Sequence, residues 1–436
     1  MTRRIVITTL GSYGDLHPFI ALALQLKTMG FDAVVAARES YREKIEDEGL
    51  NFWPVRPTIN QVSQDLKVSE SELRWQLADR HGVFLIETLI LPYLQQSFDD
   101  LADVMTGADL VVASSLSFAA RLAAEKLQIP LVSVLLSPML FFSADDPPSF
   151  LESSWLPVIR RTFGIGASKF FLDLSRRRLR RKLRKVDEFR EIVGLAATDK
   201  DELMDGPLRG ELIAGLYSPL LAPLPADAPP RSYIAGFTFY DSDKGGAAGL
   251  APGLQKFLEN GPPPIVFTLG SFAVNDAACF YEDSAAAARQ IGHRALLLVA
   301  PNREEEMVAR LAASDVHVAG YVPHSLVFPR AAAIVHHGGI GTTAQAMRAG
   351  RPQLVCPALG DQADNAERLK RLGIAKRLDH KRYTARRAAK LLSELTAENG
   401  VAATKAALLA EPIGREDGAA ALAAKIGNLP FMIEER

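Results

Sequence analysis

Residues 333–343 read AIVHHGGIGTT, and this stretch decides the fold class. The apolar run at 333–335 is typical of a buried strand, and a helical pattern follows the glycines as far as Ala349. Glycines let the backbone approach a ligand closely, and a helix N-terminus offers unpaired N–H groups with a partial positive charge. In open α/β sheets, ligands bind beyond the carboxyl ends of the strands. The stretch therefore predicts a phosphate-binding loop in a parallel α/β domain.

Short apolar runs alternate with longer helical patterns twice along the chain, which is typical of parallel strands joined by crossover helices. In the first half, the predicted strands are 4–10, 32–37, 110–113 and 131–136, and the predicted helices are 18–29, 41–48 and 118–127. In the second half, the predicted strands are 265–269, 295–299, 317–319, 333–336 and 353–356. The fold class is therefore α/β, with two Rossmann-like domains.

A proline-rich stretch at 218–232 separates the two patterns, because five prolines in fifteen residues block both helix and sheet interior. We expect domains at 1–217 and 233–415 with this linker between them. A last helical pattern at 416–425 and an apolar end follow the second domain, and the tail 416–436 could pack against either half.

The composition excludes several classes of protein. Fifty basic and fifty-one acidic residues in 436 give a net charge of −1, which argues against general nucleic-acid binding. Two cysteines, Cys279 and Cys356, do not make a disulfide framework and favour a reducing, cytoplasmic compartment. The longest apolar stretch, 129–142, is interrupted by prolines and serines and is shorter than the ~20 residues of a membrane-spanning helix.

Two further groups of residues could carry chemistry. Asp361 and Gln362 follow another predicted strand and could bind the hydroxyls of a polyol, although Asp361 could instead cap the helix after it. Asp15 and His17 lie between the first strand and the first helix, where either could accept a proton from an alcohol. Asp15 could instead be a carboxylate that only interacts favourably with the helix dipole. In the phosphate-binding loop, His337 could donate to a phosphate or could be an ordinary turn histidine.

These residues together resemble a known family. The positions that match without gaps are His337, Gly339, Gly341, Thr342, Gln345, Gly350, Pro352, Pro357, Asp361, Gln362 and Asn365. They resemble the donor-binding signature of the UDP-glycosyltransferase superfamily, in particular its bacterial lipid-directed members and the sterol glucosyltransferases. The resemblance implies the GT-B architecture, in which two Rossmann-like domains face each other across a cleft. It also implies sugar transfer from a nucleoside diphosphate sugar to a hydrophobic acceptor alcohol.

The resemblance assigns roles to individual residues of the second domain. His337 would contact the α-phosphate, Gly341 and Thr342 the β-phosphate region, and Asp361 with Gln362 the sugar hydroxyls. Three positions outside that group carry further roles: Ser271 would lie near the pyrophosphate, and Tyr321 and Val322 beside the nucleobase, unless the latter two only end a strand.

Gln345 departs from the family pattern, which usually has glutamate there to hold the ribose hydroxyls. A neutral amide loses the charge assistance of a carboxylate, so a thymidine nucleotide becomes a candidate beside uridine.

In the first domain the resemblance makes Asp15 the base of an inverting reaction, while His17 shapes the pocket. It implies no cofactor and no metal, because the nucleotide sugar is a substrate and the helix N-terminus with His337 can stabilise the leaving diphosphate. The acidic triplet Asp241-Ser242-Asp243 has the spacing of a metal-binding motif, but it lies in a glycine-rich loop far in sequence from the phosphate loop, and we do not assign it a metal.

The segment 160–185 predicts a basic amphipathic helix, with apolar residues on one face at Leu172, Leu179, Leu183, Val186 and Phe189. It could meet an anionic membrane through 172–189, or it could pack on the first domain with its cations solvated.

Two other functions compete with sugar transfer. The fold also suits a nucleotide-sugar epimerase, which needs no acceptor pocket. A catalytically silent homologue that assists a partner enzyme is supported only by Gln345.

Overall fold

The structure is a computed structural model that describes residues 2–79, 82–151, 155–240, 249–270 and 277–433. The chain folds into two compact units. The first unit comprises Met1–Tyr240 and Asp417–Arg436, and the second comprises Asp241–Glu416. The tail therefore belongs with the first unit, a choice that the sequence left open.

The first unit contains a seven-stranded parallel sheet in the order β3-β2-β1-β4-β5-β6-β7. Its strands are β1 (Arg4–Thr8), β2 (Asp32–Ala37), β3 (Asn51–Pro54), β4 (Leu110–Ser114), β5 (Leu131–Leu135), β6 (Leu212–Gly215) and β7 (Ser232–Ile234). Its helices are α1 (Tyr13–Thr28), α2 (Arg42–Asp47), α3 (Ile59–Leu66), α4 (Glu70–Asp79), α5 (Gly82–Leu85), α6 (Leu94–Met105), α7 (Phe118–Leu127), α8 (Leu156–Phe163), α9 (Ile165–Lys182) and α10 (Arg184–Ile192).

The second unit contains a six-stranded parallel sheet in the order β10-β9-β8-β11-β12-β13. Its strands are β8 (Ile265–Thr268), β9 (Ala295–Leu298), β10 (Val316–Ala319), β11 (Ala333–His336), β12 (Gln353–Val355) and β13 (Ala375–Arg377). Its helices are α11 (Pro252–Glu259), α12 (Ala277–Gln290), α13 (Glu304–Leu311), α14 (His324–Val327), α15 (Ile340–Arg348), α16 (Gln362–Leu372), α17 (Ala385–Leu395) and α18 (Val401–Gly414). The prediction of two Rossmann-like α/β domains is confirmed.

The predicted linker at 218–232 has a different place in the structure. It runs from β6 to β7, and β7 pairs in parallel with β6 as the edge strand of the first sheet. The first unit therefore extends to Tyr240, beyond the predicted boundary at 217. Proline density marks an irregular connection, but it does not show whether that connection leaves a domain or returns to the same sheet.

The chain returns to the first unit after the second one. Helix α19 (Gly418–Gly427) packs on α1, and α20 (Pro430–Ile433) follows it. Asp417 caps α19 by accepting from the N–H of Ala420, and the N–H of Gly418 donates to the carbonyl of Phe237. These contacts explain why the tail lies with the first half of the chain.

The predicted basic helix is interrupted, because Gly164 separates α8 from α9 at φ = 81° and Leu183 separates α9 from α10. Its predicted apolar face is buried: Leu183, Val186 and Phe189 join the core of the first unit, and Leu172 joins a second cluster. Packing on the first domain is thus confirmed, and membrane contact stays a prediction. Among the described residues, no helix is both long and apolar enough to cross a membrane.

A buried ion pair ties α7 to the chain before β6. Arg121 and Glu202 are 4% and 3% exposed, and the guanidinium of Arg121 also donates to the carbonyl of Ser114 at 3.1 Å. Glu202 accepts a further bond from Arg209. Removing one member of such a pair leaves the other charge buried without its partner.

We therefore expect Glu202→Ala to lower the stability of the first unit by about 3–5 kcal/mol. The tryptophans at 53, 75 and 155 all lie in that unit, so tryptophan fluorescence during urea denaturation reports its unfolding. The control is Glu188→Ala, which removes an exposed pair with Arg184 and should change the stability by less than about 0.5 kcal/mol. Equal midpoints for the two variants would contradict the prediction.

Candidate active site

Asp15 lies in the first turn of α1, directly after the loop that leaves β1. Its Oδ2 accepts hydrogen bonds from the backbone N–H of Ser12 at 2.8 Å and from the Ser12 hydroxyl at 3.2 Å. Ser12 in turn caps the helix, so the two residues form a capping box. Asp15 is therefore held in one orientation at the carboxyl end of a central strand.

Gly11 makes room for the Asp15 carboxylate. Its φ is 151°, in the region that favours glycine, and a Cβ at this position would overlap with the carboxylate. The carbonyl of Gly11 accepts a hydrogen bond from the hydroxyl of Tyr41 at 2.8 Å, which fixes the loop from the other side. Gly11 was part of the predicted loop, but the sequence did not assign it this role.

Burial raises the pKa of the Asp15 carboxyl above its ordinary value, while the hydrogen bonds from Ser12 and the charge of Arg38 oppose that rise. Arg38 is buried and follows β2, the strand beside β1. A carboxylate with a raised pKa is a stronger base than an ordinary aspartate. The environment thus suits Asp15 for proton abstraction.

His17 lies two residues further along α1, among aromatic rings. Its ring centroid is 5.6 Å from that of Tyr13 and 5.1 Å from that of Tyr240. Burial, and then the charge of Lys44, lower the pKa of His17 to about 4. At neutral pH His17 is uncharged and a weak base, which is consistent with the prediction that it shapes a pocket.

The phosphate loop of the second unit lies where the order of the strands reverses, between β8 and β11. Because the two strands pair in parallel with His336 opposite Thr268, the residues that follow them meet. The ring of His337 fits between Gly270 and Gly339: a Cβ at position 270 would lie 2.5 Å from Cε1 of His337, and one at position 339 would overlap with Nε2.

His337 has an unused hydrogen-bonding atom. Its Nδ1 is buried and has no hydrogen-bond partner among the described residues. Burial, followed by the neighbouring His336 and His324, lowers the pKa of His337 to about 3. The ring is therefore neutral at pH 7 and can donate one hydrogen bond to an anion without carrying charge.

Helix α15 begins at Ile340, after the two glycines that follow this histidine. Its N-cap is Gly339, so no side chain caps the first turn, and the first backbone bond runs from the N–H of Thr343 to the carbonyl of Gly339. The N–H groups of Ile340, Gly341 and Thr342 precede that bond and point out of the helix end. Together with His337 they are suited to bind an anion, because a helix N-terminus favours negative charge.

Asp361 and Gln362, the predicted polyol-binding pair, make different contacts in the structure. Gln362 holds its own loop, since its Oε1 accepts from the N–H groups of Ala358 at 2.9 Å and Leu359 at 3.1 Å. Its amide nitrogen is the part of the side chain left for a ligand. Asp361 is the N-cap residue of α16, as the capping alternative expects, but its side chain makes no cap hydrogen bond. Its Oδ2 accepts from Asn365 at 2.9 Å.

The remaining donor-site predictions lie around this loop or outside the described residues. Gln345 is 8% exposed in the second turn of α15, and Tyr321 is 56% exposed. Val322 packs on the core beneath α15. Ser271 and the triplet 241–243 lie outside the described residues. In the part of the chain that is described, no group of three or more His, Cys, Asp or Glu side chains could hold a metal.

Known protein families match both units. Residues 5–140 match the glycosyltransferase family 28 N-terminal domain, and residues 288–421 match the erythromycin biosynthesis protein CIII-like C-terminal domain. A relative from Streptomyces fradiae, O-mycaminosyltylonolide 6-deoxyallosyltransferase, is 32% identical over 383 residues, covering 86% of this chain and 85% of that protein. The chain belongs to the UDP-glycosyltransferase superfamily. It is a glycosyltransferase, and the predicted family and enzyme class are confirmed.

This glycosyltransferase is also similar to a second relative in sequence and to a solved structure in fold. A sterol 3-beta-glucosyltransferase of Arabidopsis thaliana is 26% identical over 387 residues, which cover 85% of this chain and 57% of that protein. The solved structure of a spinosyn rhamnosyltransferase complexed with thymidine diphosphate has a TM-score of 0.67 at 17% identity, covering 98% of this chain and all of that one. The latter similarity shows that the glycosyltransferase has the GT-B fold.

The close approach of Gly11 to Asp15 predicts that a Gly11→Ala substitution lowers the activity of the glycosyltransferase. In Gly11→Ala the new Cβ forces the Asp15 carboxylate away, and displacing a reacting group by about 1 Å can lower the rate about 100-fold. We expect that loss in kcat, measured with a nucleotide sugar and an acceptor that the wild type uses.

Gly14→Ala is the matched control, because a Cβ there would be 3.6 Å from Ser12 Oγ, an ordinary contact within the same helical turn. It should retain kcat within about threefold, since alanine is favourable in a helix. A Gly11→Ala enzyme as active as Gly14→Ala would show that the position of Asp15 does not matter for transfer.

Proposed function

We propose that this glycosyltransferase transfers a hexose, with inversion and without a metal, from a nucleoside diphosphate sugar to a hydroxyl of a hydrophobic small molecule. The observation that carries the proposal is a group of three features: Nδ1 of His337 and the N-terminus of α15, neither of which has a side-chain partner among the described residues, and the carboxylate of Asp361. An anion-binding helix N-terminus beside a carboxylate suits a ligand with a phosphate next to a polyol.

On the donor side, each group has a chemical role. The neutral ring of His337 would donate to the α-phosphate, and the N–H groups of Gly341 and Thr342 to the β-phosphate. These donors are fixed before the reaction, so they can stabilise the negative charge that grows on the departing diphosphate. Asp361 and the amide nitrogen of Gln362 would hold the sugar hydroxyls.

On the acceptor side, Asp15 would take the proton of the acceptor hydroxyl. The acceptor oxygen then forms a bond to the anomeric carbon as the bond from that carbon to the diphosphate oxygen breaks. The nucleoside diphosphate leaves with the electron pair, and the proton ends on the Asp15 carboxylate. Its raised pKa supports this role, because the base must hold the proton once the reaction is complete.

The acceptor class is inferred from an aromatic surface beside Asp15 and from the names of related enzymes. Tyr13, 42% exposed, packs against His17 and Tyr41 next to Asp15, which offers an apolar, aromatic surface at the position of the base. The related enzymes named above act on O-mycaminosyltylonolide and on a sterol, as their names state. Both point to a bulky hydroxylated acceptor for this chain.

We expect Asp15→Asn to lower kcat by about 100- to 10,000-fold, while the affinity for nucleoside diphosphate stays at the wild-type value. The amide oxygen of asparagine can still accept from the Ser12 N–H, so α1 keeps its cap. Transfer is measured with UDP-glucose and dTDP-rhamnose against a panel of hydroxylated lipids and aromatics, and binding by calorimetry.

The pH profile is the second readout. The active form of Asp15 is deprotonated, so kcat/KM of the wild type should fall as pH drops through a pKa above the usual aspartate value. No transfer with any donor and acceptor pair would disprove the enzymatic proposal. Full activity of Asp15→Asn would leave His17 as the next candidate for the base.

The nucleotide preference can be tested at Gln345. The pentose of UDP has two free hydroxyls and that of TDP has one, and a carboxylate holds hydroxyl groups more strongly than an amide does. We expect thymidine diphosphate to raise the melting temperature of the wild type at least as much as UDP. Gln345→Glu should tighten UDP binding about 5- to 10-fold more than TDP binding. Equal changes for the two nucleotides would show that position 345 does not contact the ribose.

A further inference from the structure

The peptide at Gly338 is held at both ends by buried side chains. Its N–H donates to Nδ1 of His336 at 3.1 Å, and its carbonyl accepts from Nδ2 of Asn365 at 3.0 Å. Both side chains are completely buried. Two side chains from different elements, β11 and α16, are thus committed to one glycine in the phosphate loop.

This glycine needs such support. Its φ is 94°, and a Cβ would lie 2.8 Å from Cγ1 of Val355 and 3.0 Å from the carbonyl of Gln362. The backbone therefore passes close to β12 and to the start of α16, where its polar groups cannot join a sheet or a helix. A buried N–H or carbonyl without a partner is costly, so these two bonds determine the conformation of the loop.

The tautomer of His336 is defined by its other partner. Nε2 lies 2.9 Å from Oε1 of Gln353, an acceptor, so the ring proton is on Nε2 and Nδ1 is free to accept from Gly338. Burial lowers the pKa of His336 to about 4, which keeps the ring neutral at physiological pH. Gln353 thus makes His336 an acceptor toward the loop.

Asn365 links two parts of the donor site. Its Nδ2 donates both to the Gly338 carbonyl and to Oδ2 of Asp361, at 3.0 and 2.9 Å. One amide group therefore fixes the loop that carries His337 and orients the carboxylate on the following loop. A displacement of either loop would stretch one of these bonds.

We propose that His336 and Asn365 are positioning residues that clamp the Gly338 peptide, and that Asn365 couples the diphosphate part of the donor site to its sugar part. The inference rests on the proposed donor role of His337 and Asp361. Neither clamp residue touches the donor; each acts through the loop that it holds.

Two substitutions at position 336 separate the two bonds of the histidine. In His336→Asn, the side-chain oxygen takes the place of Nδ1 and can still accept from Gly338. In His336→Gln, the amide takes the place of Nε2, so the contact with Gln353 remains and the Gly338 N–H loses its acceptor. We expect His336→Gln to weaken TDP and UDP binding about 10-fold or more, and His336→Asn to stay within about threefold of wild type.

Amide hydrogen exchange of the peptide that contains Gly338 can be measured in the protein without bound nucleotide, and it reports directly on the bond from the Gly338 N–H. It should speed up in His336→Gln and remain near wild type in His336→Asn. Equal nucleotide affinity and equal exchange in the two variants would overturn the clamp at this end, whatever their melting temperatures.

Asn365→Ala tests the coupling. We expect the dissociation constant of the nucleotide sugar to rise at least about threefold more than that of the nucleoside diphosphate, because Asp361 loses its orientation as well. A general loss of structure would weaken both ligands equally, and that result would overturn the coupling. If the wild type binds nucleotide and these variants bind it with the same affinity, the clamp proposal is wrong but the proposed donor role stands. If the wild type binds no nucleotide, the proposed donor role is wrong as well.

Discussion

Reversal of the strand order at the middle of each parallel sheet is the constraint on which the rest of the structure depends. The chain crosses to opposite sides from β1 and β4 in the first sheet, and from β8 and β11 in the second, so the ends of these neighbouring strands are left uncovered. Backbone groups at those ends cannot be satisfied by the sheet. The Ser12–Asp15 box at one reversal and the His336–Gly338–Asn365 contacts at the other supply the missing partners locally.

Much of the fold could be predicted, because buried parallel strands are continuous apolar runs and the helices between them have clear periodicity. The strands at 32–37 and 333–336 and the helix at 118–127 have the predicted bounds. The two edge strands of the first sheet could not be found in the same way. β7 has only three half-buried residues, and β3 is an exposed strand that ends in proline. Such strands form because the preceding strand pairs with them, and their own residues lack the apolar run that marks a buried strand.

The types of residue at the site could be predicted from the sequence. Which of them are available to a ligand and which hold the loops in place could not. Asp15 and His337 lie at strand ends as expected, in surroundings that shift their pKa values in ways the sequence does not show. Gln362 was assigned to the sugar, yet its carbonyl oxygen holds its own loop. His336 and Asn365 had no assigned role. The bond from Asn365 to Gly338 spans 27 residues, and the bond from His336 to Gln353 spans 17, so no local pattern reveals either contact.

The return of the chain to the first unit also determines how this enzyme can be recombined with its relatives. Because α19 packs on α1, and Gly418 meets the backbone of Gly236 and Phe237, the segment 241–416 is an insertion within the first unit. A hybrid made with one crossover near 240 would place a foreign α19 against the native α1. Exchange of the second unit as a cassette therefore needs two junctions, on either side of that segment, with α19 and α1 from the same parent.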